Sequence, residues 1–393
     1  MKTTDVAIVG GGVVGSAVAY FLSASSVFDG TVTVVERDPT YEFASTPRSC
    51  GGLRQQFSNR ENVEIGLFGH QFVTHVGDYL SVDGVSPDVA WREGGYLFLA
   101  SEPAMDTLRE NTANQKGLGA NIVVLKPEEL KRVFPWLHVD DLAGGSLSLA
   151  GEGWLDPNSL MMAFRAKARS LGVDYLHGEV GSIEVSGSQV ISVGLNNGTK
   201  IGCGSLVNAA GANAGPVAAL AGVALPVVPR KRTIYVIDCR EPLNPPSPLL
   251  IDKTGVFVRP EGAGYICGVS PPEDCDPDAW DDLEVDNHWF EEMVWPTLAH
   301  RIPSFEAIKL ISAWAGWYDY NTIDQNGIVG RHPEIRNLIF ANGFSGHGLQ
   351  QSPAVGRAVM ELVTGNEFLT INLKRFGYER IAERRLLIEK NVV

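Results

Sequence analysis

Short apolar runs rich in β-branched residues alternate along this chain with segments whose apolar positions recur at helical spacing. Asp5-Val6-Ala7-Ile8-Val9 reads as a buried parallel strand. Gly10, Gly11 and Gly12 follow, and the small and apolar residues from Val13 to Ser25 suit a helix. Thr31-Val32-Thr33-Val34-Val35 predicts a second strand ending at Glu36, so the chain opens with a βαβ unit.

Further on, Ile65, Phe68, Phe72, Val76 and Tyr79 give a helical pattern over residues 62–80. Residues 95–100 predict a strand, 102–116 a helix, and Pro127 a helix start for residues 128–134. Asp156-Pro157 opens another helix reaching about Leu171. Strands fill residues 173–207, with a hairpin turn at Asn196-Asn197-Gly198. Strands recur over 227–269, interrupted by a Pro-rich loop at 242–248. The pattern then predicts a helix over 280–300, strands at 309–315 and 338–341, a helix after Ser352-Pro353, and a charged helix over 373–389. No internal repeat or low-complexity linker occurs.

Composition narrows the class. Of 393 residues, 44% are hydrophobic and 20% charged, the balance of soluble globular domains. No uncharged apolar run approaches the roughly 18 residues of a transmembrane helix. Asp plus Glu number 46 against 32 Lys plus Arg, a net charge of −14 that repels phosphate backbones and argues against nucleic acid as a partner. Cys50, Cys203, Cys239, Cys267 and Cys275 are scattered, odd in number and free of CxxC spacing. Neither a disulfide framework nor a metal site is expected, and a reducing compartment fits. The polar lead Met1–Thr4 is unlike a signal peptide, so the expected location is cytoplasmic.

The candidate chemistry begins at Gly10-x-Gly12-x-x-Gly15, set between a strand and a helix. One glycine makes the tight turn, one lets backbone N–H groups approach a pyrophosphate, and one lets helix pack on strand. The helix N-terminus favours the anion. Glu36, 21 residues after Gly15, can accept from both ribose hydroxyls. No second fingerprint of this kind exists, so the dinucleotide is NAD alone or FAD alone.

Taken together, several separated motifs resemble the D-amino-acid oxidase superfamily of FAD enzymes, in the sarcosine, dimethylglycine and glycine oxidoreductase subgroup. They are residues 5–12, Val34-Val35-Glu36-Arg37, Gly153-Trp154-Leu155-Asp156-Pro157, Val207-Asn208-Ala209-Ala210-Gly211-Ala212 and Gly343-Phe344-Ser345-Gly346-His347-Gly348. The segment Ala44-Ser45-Thr46 through Ser49-Cys50-Gly51-Gly52-Leu53-Arg54-Gln55-Gln56-Phe57-Ser58 is similar to one branch. Its members include a mitochondrial protein linked to respiratory complex I assembly and bacterial enzymes that oxidise secondary amines.

The resemblance implies a two-domain fold. A Rossmann-like α/β FAD-binding domain of glutathione-reductase type would comprise residues 1–90, 145–222 and 325–393. An α+β substrate domain with an antiparallel sheet would comprise 91–144 and 223–324. It also implies oxidation of a C–N bond in a small secondary amine or N-substituted amino acid. A hydride equivalent passes to flavin N5 and the imine hydrolyses. Sarcosine, dimethylglycine and iminodiacetate exemplify the substrates. FAD contacts are expected from Gly10, Gly12, Val13, Val14, Gly15, Glu36 and Arg37. They continue with Ser45, Ser49, Cys50, Gly51, Gly52, Leu53 and Arg54, then Val180, Ala210, Gly211 and Gly316. Gly343, Gly346, His347, Gly348 and Leu349 complete the set.

Catalytic candidates are Arg54, Arg259, Tyr318 and His347. Arginine holds a carboxylate best because its fork is bidentate and always charged. Arg230-Lys231-Arg232 reads instead as a solvated or domain-linking charge run. Trp314, Trp317, Tyr318, Asp319 and Tyr320 form an aromatic group with one carboxylate, of which Tyr318 is expected over the ring.

Two departures from the family pattern matter. Relatives that tether FAD do so through a Cys near the place of Gly316, or a His where this chain has Arg48-Ser49-Cys50, so FAD is expected to be non-covalent. The Lys that activates oxygen in sarcosine-oxidase relatives matches Ile266, so the electron acceptor, oxygen or a quinone or flavoprotein, stays open. Alternatives are a flavoprotein assembly or interaction factor with little turnover, a D-amino-acid dehydrogenase, and an NAD-dependent dehydrogenase. The oligomeric state is not legible.

Overall fold

The computed structural model describes residues 2–390. Met1 and residues 391–393, the outer ends of the expected FAD-binding domain, lie outside the described residues. In chain order the opening unit is β1 (Lys2–Val9), α1 (Val13–Ala24) and β2 (Val32–Glu36). The short β3 (Gly52–Leu53) precedes α2 (Arg60–Thr74) and α3 (Val76–Leu80), which break at His75 where one helix was expected. Then come β4 (Tyr96–Ala100), α4 (Met105–Gly117), β5 (Ile122–Leu125), α5 (Pro127–Val133) and β6 (Gly144–Ser148). β7 (Gly153–Trp154) leads to α6 (Pro157–Ser170), whose N-cap Asp156 accepts from the Ser159 N–H.

Four strands follow: β8 (Asp174–His177), β9 (Val180–Ser186), β10 (Gln189–Leu195) and β11 (Lys200–Asn208). After α7 (Ala214–Ala219) come β12 (Val227–Asp238), β13 (Leu249–Ile251), β14 (Phe257–Glu261) and β15 (Gly264–Gly268). The chain closes with α8 (Asn287–Trp289), α9 (Trp295–Arg301), β16 (Lys309–Asn321), β17 (Ile328–Arg331), β18 (Leu338–Asn342), α10 (Gly348–Gly365) and α11 (Glu379–Ala382).

One sheet runs β17-β18-β11-β1-β2-β8, with β10 and β9 added beside β11. β1 lies between β11 and β2, parallel to both, and its apolar half, Val6–Val9, is buried on both faces. On one face Ile8 and Val34 pack against Val18, Phe164 and Val355 of α1, α6 and α10; on the other, Ala7, Val9 and Val35 pack with Val180, Leu206 and Ala214. This is the expected Rossmann-like layer.

The second sheet runs β16-β12-β15-β14-β13-β4-β6-β5 and packs its core on the helices through Leu130, Phe290, Leu298 and Phe305. It departs from the expected antiparallel order at one join: β13 and β4 are parallel. These strands come from insertions far apart in the chain, so no hairpin sets their direction. The expected boundary at residue 145 runs through β6, which pairs with β4 and β5 and belongs to this sheet.

Three further predicted helices differ. Over residues 280–300 the helix begins only at Asn287, capped by Asp286; the preceding acidic stretch is held to β12 by ion pairs. α10 starts at Gly348 rather than after Pro353. Pro353 cannot donate to the Leu349 carbonyl, and the Ser352 hydroxyl donates there instead (2.9 Å). Residues 373–389 form short turns and an extended tail, because Arg384 takes φ +54° and Glu389 is drawn into bonds with Ser58 and Asn59. Among the described residues, no helix is long and apolar enough to cross a membrane.

Candidate active site

A cleft of about 350 Å³ runs from the carboxyl ends of β1 and β2 to the junction with the second sheet. At one end stand Glu36, Arg37 and Val180; in the middle the loop Gly10–Gly12 and the start of α1; at the other end Cys50, Gly316, Tyr318, Gly346 and Leu349. The turn after β1 needs glycine at position 10, where φ is +97° and a Cβ would overlap the Ala209 carbonyl. Gly12, the N-cap of α1, brings no capping side chain; the Val13 N–H donates to Thr46 Oγ1 (3.2 Å), and the positive end of the helix still faces the cleft. Glu36 Oε2 accepts from the Gly11 N–H (2.7 Å) and Oε1 from the Asp38 N–H (2.8 Å), which fixes the carboxylate at the cleft.

A smaller cavity of about 90 Å³ adjoins this inner end and shares Ser49, Cys50, Arg232, Tyr318, Gly346 and Leu349 with the cleft. Arg54, Tyr96, Thr233, Ser270, His347 and Gln350 complete its polar lining. Arg54 is 4% exposed, which for a guanidinium demands compensation. Its backbone N–H donates to Gln350 Oε1 (2.7 Å) and its Nη2 to His347 Nε2 (2.9 Å), and among the described residues its side chain has no other hydrogen-bond partner. The rings of Phe57 and Phe98 lie 4.4 and 5.1 Å from its guanidinium carbon. Burial presses its pKa below the ordinary arginine value.

His347 Nδ1 lies 3.2 Å from the Phe344 carbonyl. The hydrogen-bond network assigns Nδ1–H as donor there and Nε2 as acceptor from Arg54, so the imidazole is neutral. Burial first, and the Arg54 charge second, push its pKa down to about 3. Behind Arg54, buried Glu152 accepts from the Gln55 and Gln56 N–H groups (2.5 and 2.9 Å) and from Gln56 Nε2 (2.9 Å). Burial raises its pKa. This carboxylate holds the extended backbone that carries Arg54.

Tyr318 projects from β16 toward Gly346, whose φ is +96° and where a Cβ would overlap the tyrosine ring. Burial raises the Tyr318 pKa to about 12. Asp319, next to it, accepts from the Phe344 N–H (3.1 Å), and burial raises its pKa to about 6. Trp314 turns away and donates to the Arg48 carbonyl, as Trp317 Nε1 does to the Asp282 carbonyl (both 3.0 Å).

Most expected site residues meet at these two cavities. Gly10, Gly12, Val13, Val14, Ser45, Ser49, Ala210, Gly211 and Gly348 line the cleft, and Gly52 lines the smaller cavity. Gly15, Gly51, Leu53 and Gly343 line neither. A Cβ on Gly15 would overlap the Gly10 carbonyl, and one on Gly51 the Leu155 carbonyl; Leu53 is buried, pairing with Gly153, and Gly343 packs by Val227. They shape the walls from behind.

Arg259, expected as catalytic, lines neither cavity. Its Nε and Nη2 donate to the Cys50 carbonyl (2.9 and 2.7 Å) and its Nη1 pairs with Glu261, so it fixes the backbone at Cys50. Arg230-Lys231-Arg232 is not a solvated run: the three pair with Asp278, Asp282 and Asp276 in turn. Arg232 is buried, bidentate to Asp276 (2.7 and 2.8 Å), and its guanidinium lies 5.1 Å from the Tyr318 ring centroid.

Tyr96, Gln350 and Glu152 escaped the sequence reading. A lone Glu between glycines ahead of Gly153-Trp154 was a usable signal for Glu152; nothing local marks Tyr96 within its apolar strand. His138, Asp141 and His300 come within metal-ligating distance of one another, but Asp141 is already engaged by Arg301 (2.8 Å) and Lys253 (2.7 Å), cations that oppose a metal there.

The model of the FAD-dependent oxidoreductase family known as DAO matches residues 5–362. The chain belongs to the DAO family of FAD-dependent oxidoreductases. This DAO-family chain is 44% identical to FAD-dependent oxidoreductase domain-containing protein 1 of Xenopus laevis over 426 residues, covering 100% of the chain and 85% of that protein. It is 27% identical to the glycine oxidase of Geobacillus kaustophilus, covering 92% and 93% of the two chains. The crystal structure of L-proline dehydrogenase from P. horikoshii superposes with a TM-score of 0.85 at 28% identity, covering 98% and 99%. The cofactor of this oxidoreductase is FAD. The α1 N-terminus at the cleft, the glycine-only turn and the placed Glu36 carboxylate fit a dinucleotide.

Proposed function

We propose that this DAO-family enzyme oxidises the C–N bond of a small secondary amine or N-substituted amino acid that carries a carboxylate. Bound FAD supplies the two-electron chemistry, taking a hydride equivalent from the carbon beside the nitrogen. The observation that supports this reading is Arg54: a buried cation, open to the smaller cavity, with one neutral side-chain partner. Glu152 and Glu389 act on it only through space, so its fork is left for a carboxylate from outside the chain, which fits it bidentately.

The other residues follow from the geometry. Gly10, Gly12, Val13, Val14 and the α1 N-terminus would hold the pyrophosphate, Glu36 the ribose, and Val180 the adenine end. Cys50, Gly316, Gly346 and Leu349 would line the ring, with the N-terminus of α10 favouring negative charge there. Tyr318 closes the pocket. His347 holds Arg54 in register and remains neutral. FAD is held without a covalent bond, Gly316 standing where a tether would be. The buried Ile266 stands where relatives place an oxygen-activating Lys, which favours an acceptor other than oxygen.

Anaerobic titration of the flavin absorption band with sarcosine, dimethylglycine, iminodiacetate, proline, glycine and D-amino acids tests the reading. Bleaching by an amino acid is expected. A band untouched by every amine would overturn it in favour of an interaction factor with little turnover.

A further inference from the structure

We infer that Tyr96 is a substrate-positioning residue: its hydroxyl completes a clamp with Arg54 for one carboxylate, and the smaller cavity takes a compact apolar monocarboxylate. The inference rests on the amino-acid reading above and narrows it.

Tyr96 is 5% exposed, yet among the described residues its hydroxyl has no hydrogen-bond partner while the residue lines the smaller cavity. A buried phenol normally finds a partner. The hydroxyl occupies the volume that a side chain at position 52 would take, because a Cβ on Gly52 would overlap it. The absent side chain at Gly52 thus admits the phenol beside the Cys50–Arg54 segment. Arg54 and Tyr96 line the same cavity and share Phe98 as a neighbour, the guanidinium carbon 5.1 Å and the phenol ring 6.3 Å from its ring centroid.

The cavity is rich in donors, and among the described residues no carboxylate lines it. Its second guanidinium, Arg232, is already neutralised by Asp276. A ligand therefore meets one guanidinium that no carboxylate of the described residues hydrogen-bonds, Glu152 and Glu389 acting on it only through space. The rest of the lining is mostly apolar, with Leu249, Ile251, Phe257 and Val269, and its polar members Thr233 and Ser270 bring hydroxyls but no second free cation for a second carboxylate.

Two inert acids test this on the FAD-loaded protein, read by perturbation of the flavin band: cyclopentanecarboxylate, with one carboxylate on an apolar body, and succinate, with two. Cyclopentanecarboxylate is expected to bind at least tenfold tighter. Tyr96→Phe keeps the ring and its packing on Phe98, and is expected to raise the Kd for cyclopentanecarboxylate about tenfold. Gly52→Ala displaces the same hydroxyl and is expected to act alike, with little further loss when combined with Tyr96→Phe. Gly52→Ala alone decides the matter if Tyr96→Phe loses its flavin. Unchanged Kd in both variants, with binding lost in Arg54→Met, overturns the role of Tyr96 and leaves the carboxylate reading standing. Equal binding of succinate overturns the monocarboxylate specificity. No response of the unmodified protein to either acid overturns both readings.

Discussion

Arg54 donates a hydrogen bond to the unprotonated Nε2 of His347 across 2.9 Å, joining the loop before α2 to the residue that caps α10. One charge is thereby fixed by a neutral neighbour, so the charge remains free to attract a ligand. Arg54→Met is expected to lower the apparent affinity for a carboxylate-bearing substrate about 100-fold or more. Arg54→Lys should recover little, because an ammonium cannot reproduce the fork. Anaerobic titration of the flavin band measures both.

The neutral state of His347 couples stability to pH. Its pKa is about 3 in the fold and near 6.5 when unfolded, so between these values the unfolded chain binds the extra proton. This group's contribution to stability is therefore full above pH 6.5 and lost as pH falls toward 3. His347→Gln, which cannot titrate, should unfold less steeply with acid across that window, as followed by thermal midpoints.

Asp319 carries the opposite sign. Its pKa is raised from 3.8 to about 6, so the folded state binds the extra proton between those values and stability falls as pH rises through them. Above pH 6 the buried charge costs about 3 kcal/mol by this shift. Asp319→Asn keeps an acceptor for the Phe344 N–H and should raise the melting temperature at pH 8 more than at pH 4.

Arg232 and Asp276 are both buried and joined by two hydrogen bonds. Asp276→Ala leaves the guanidinium uncompensated behind Tyr318 and should destabilise by about 3–5 kcal/mol. Chemical denaturation measures this. A loss within 1 kcal/mol would show that the pair is solvated in solution.

Glu152 satisfies two backbone donors and one side-chain donor just beyond Arg54. Glu152→Ala orphans all three, and should cost about 3 kcal/mol or more of stability. Its kinetic mark should be a higher KM for the carboxylate substrate, rescued in part by Glu152→Gln.

The opening βαβ unit, the glycine turn and the position of Glu36 were legible from the residues alone. Strand–turn–helix chemistry of this kind is local, and each residue's need is met by neighbours within a few tens of positions. The sequence also singled out Arg54, Tyr318 and His347 through their surroundings and a family resemblance. Tertiary structure alone decided which arginine stays free. Arg54 and Arg259 look alike in sequence, each a cation among apolar residues, and Arg232 reads as part of a charge run, but the groups that decide their state come largely from remote segments. Asp276 neutralises Arg232, and the Cys50 carbonyl with Glu261 engages Arg259, while Arg54 meets only a neutral imidazole. Tyr96 faces the cavity only because β4 joins β13 from another insertion and Gly52 leaves room for its hydroxyl. Charge compensation and close packing depend on distance in space, and no local pattern records it.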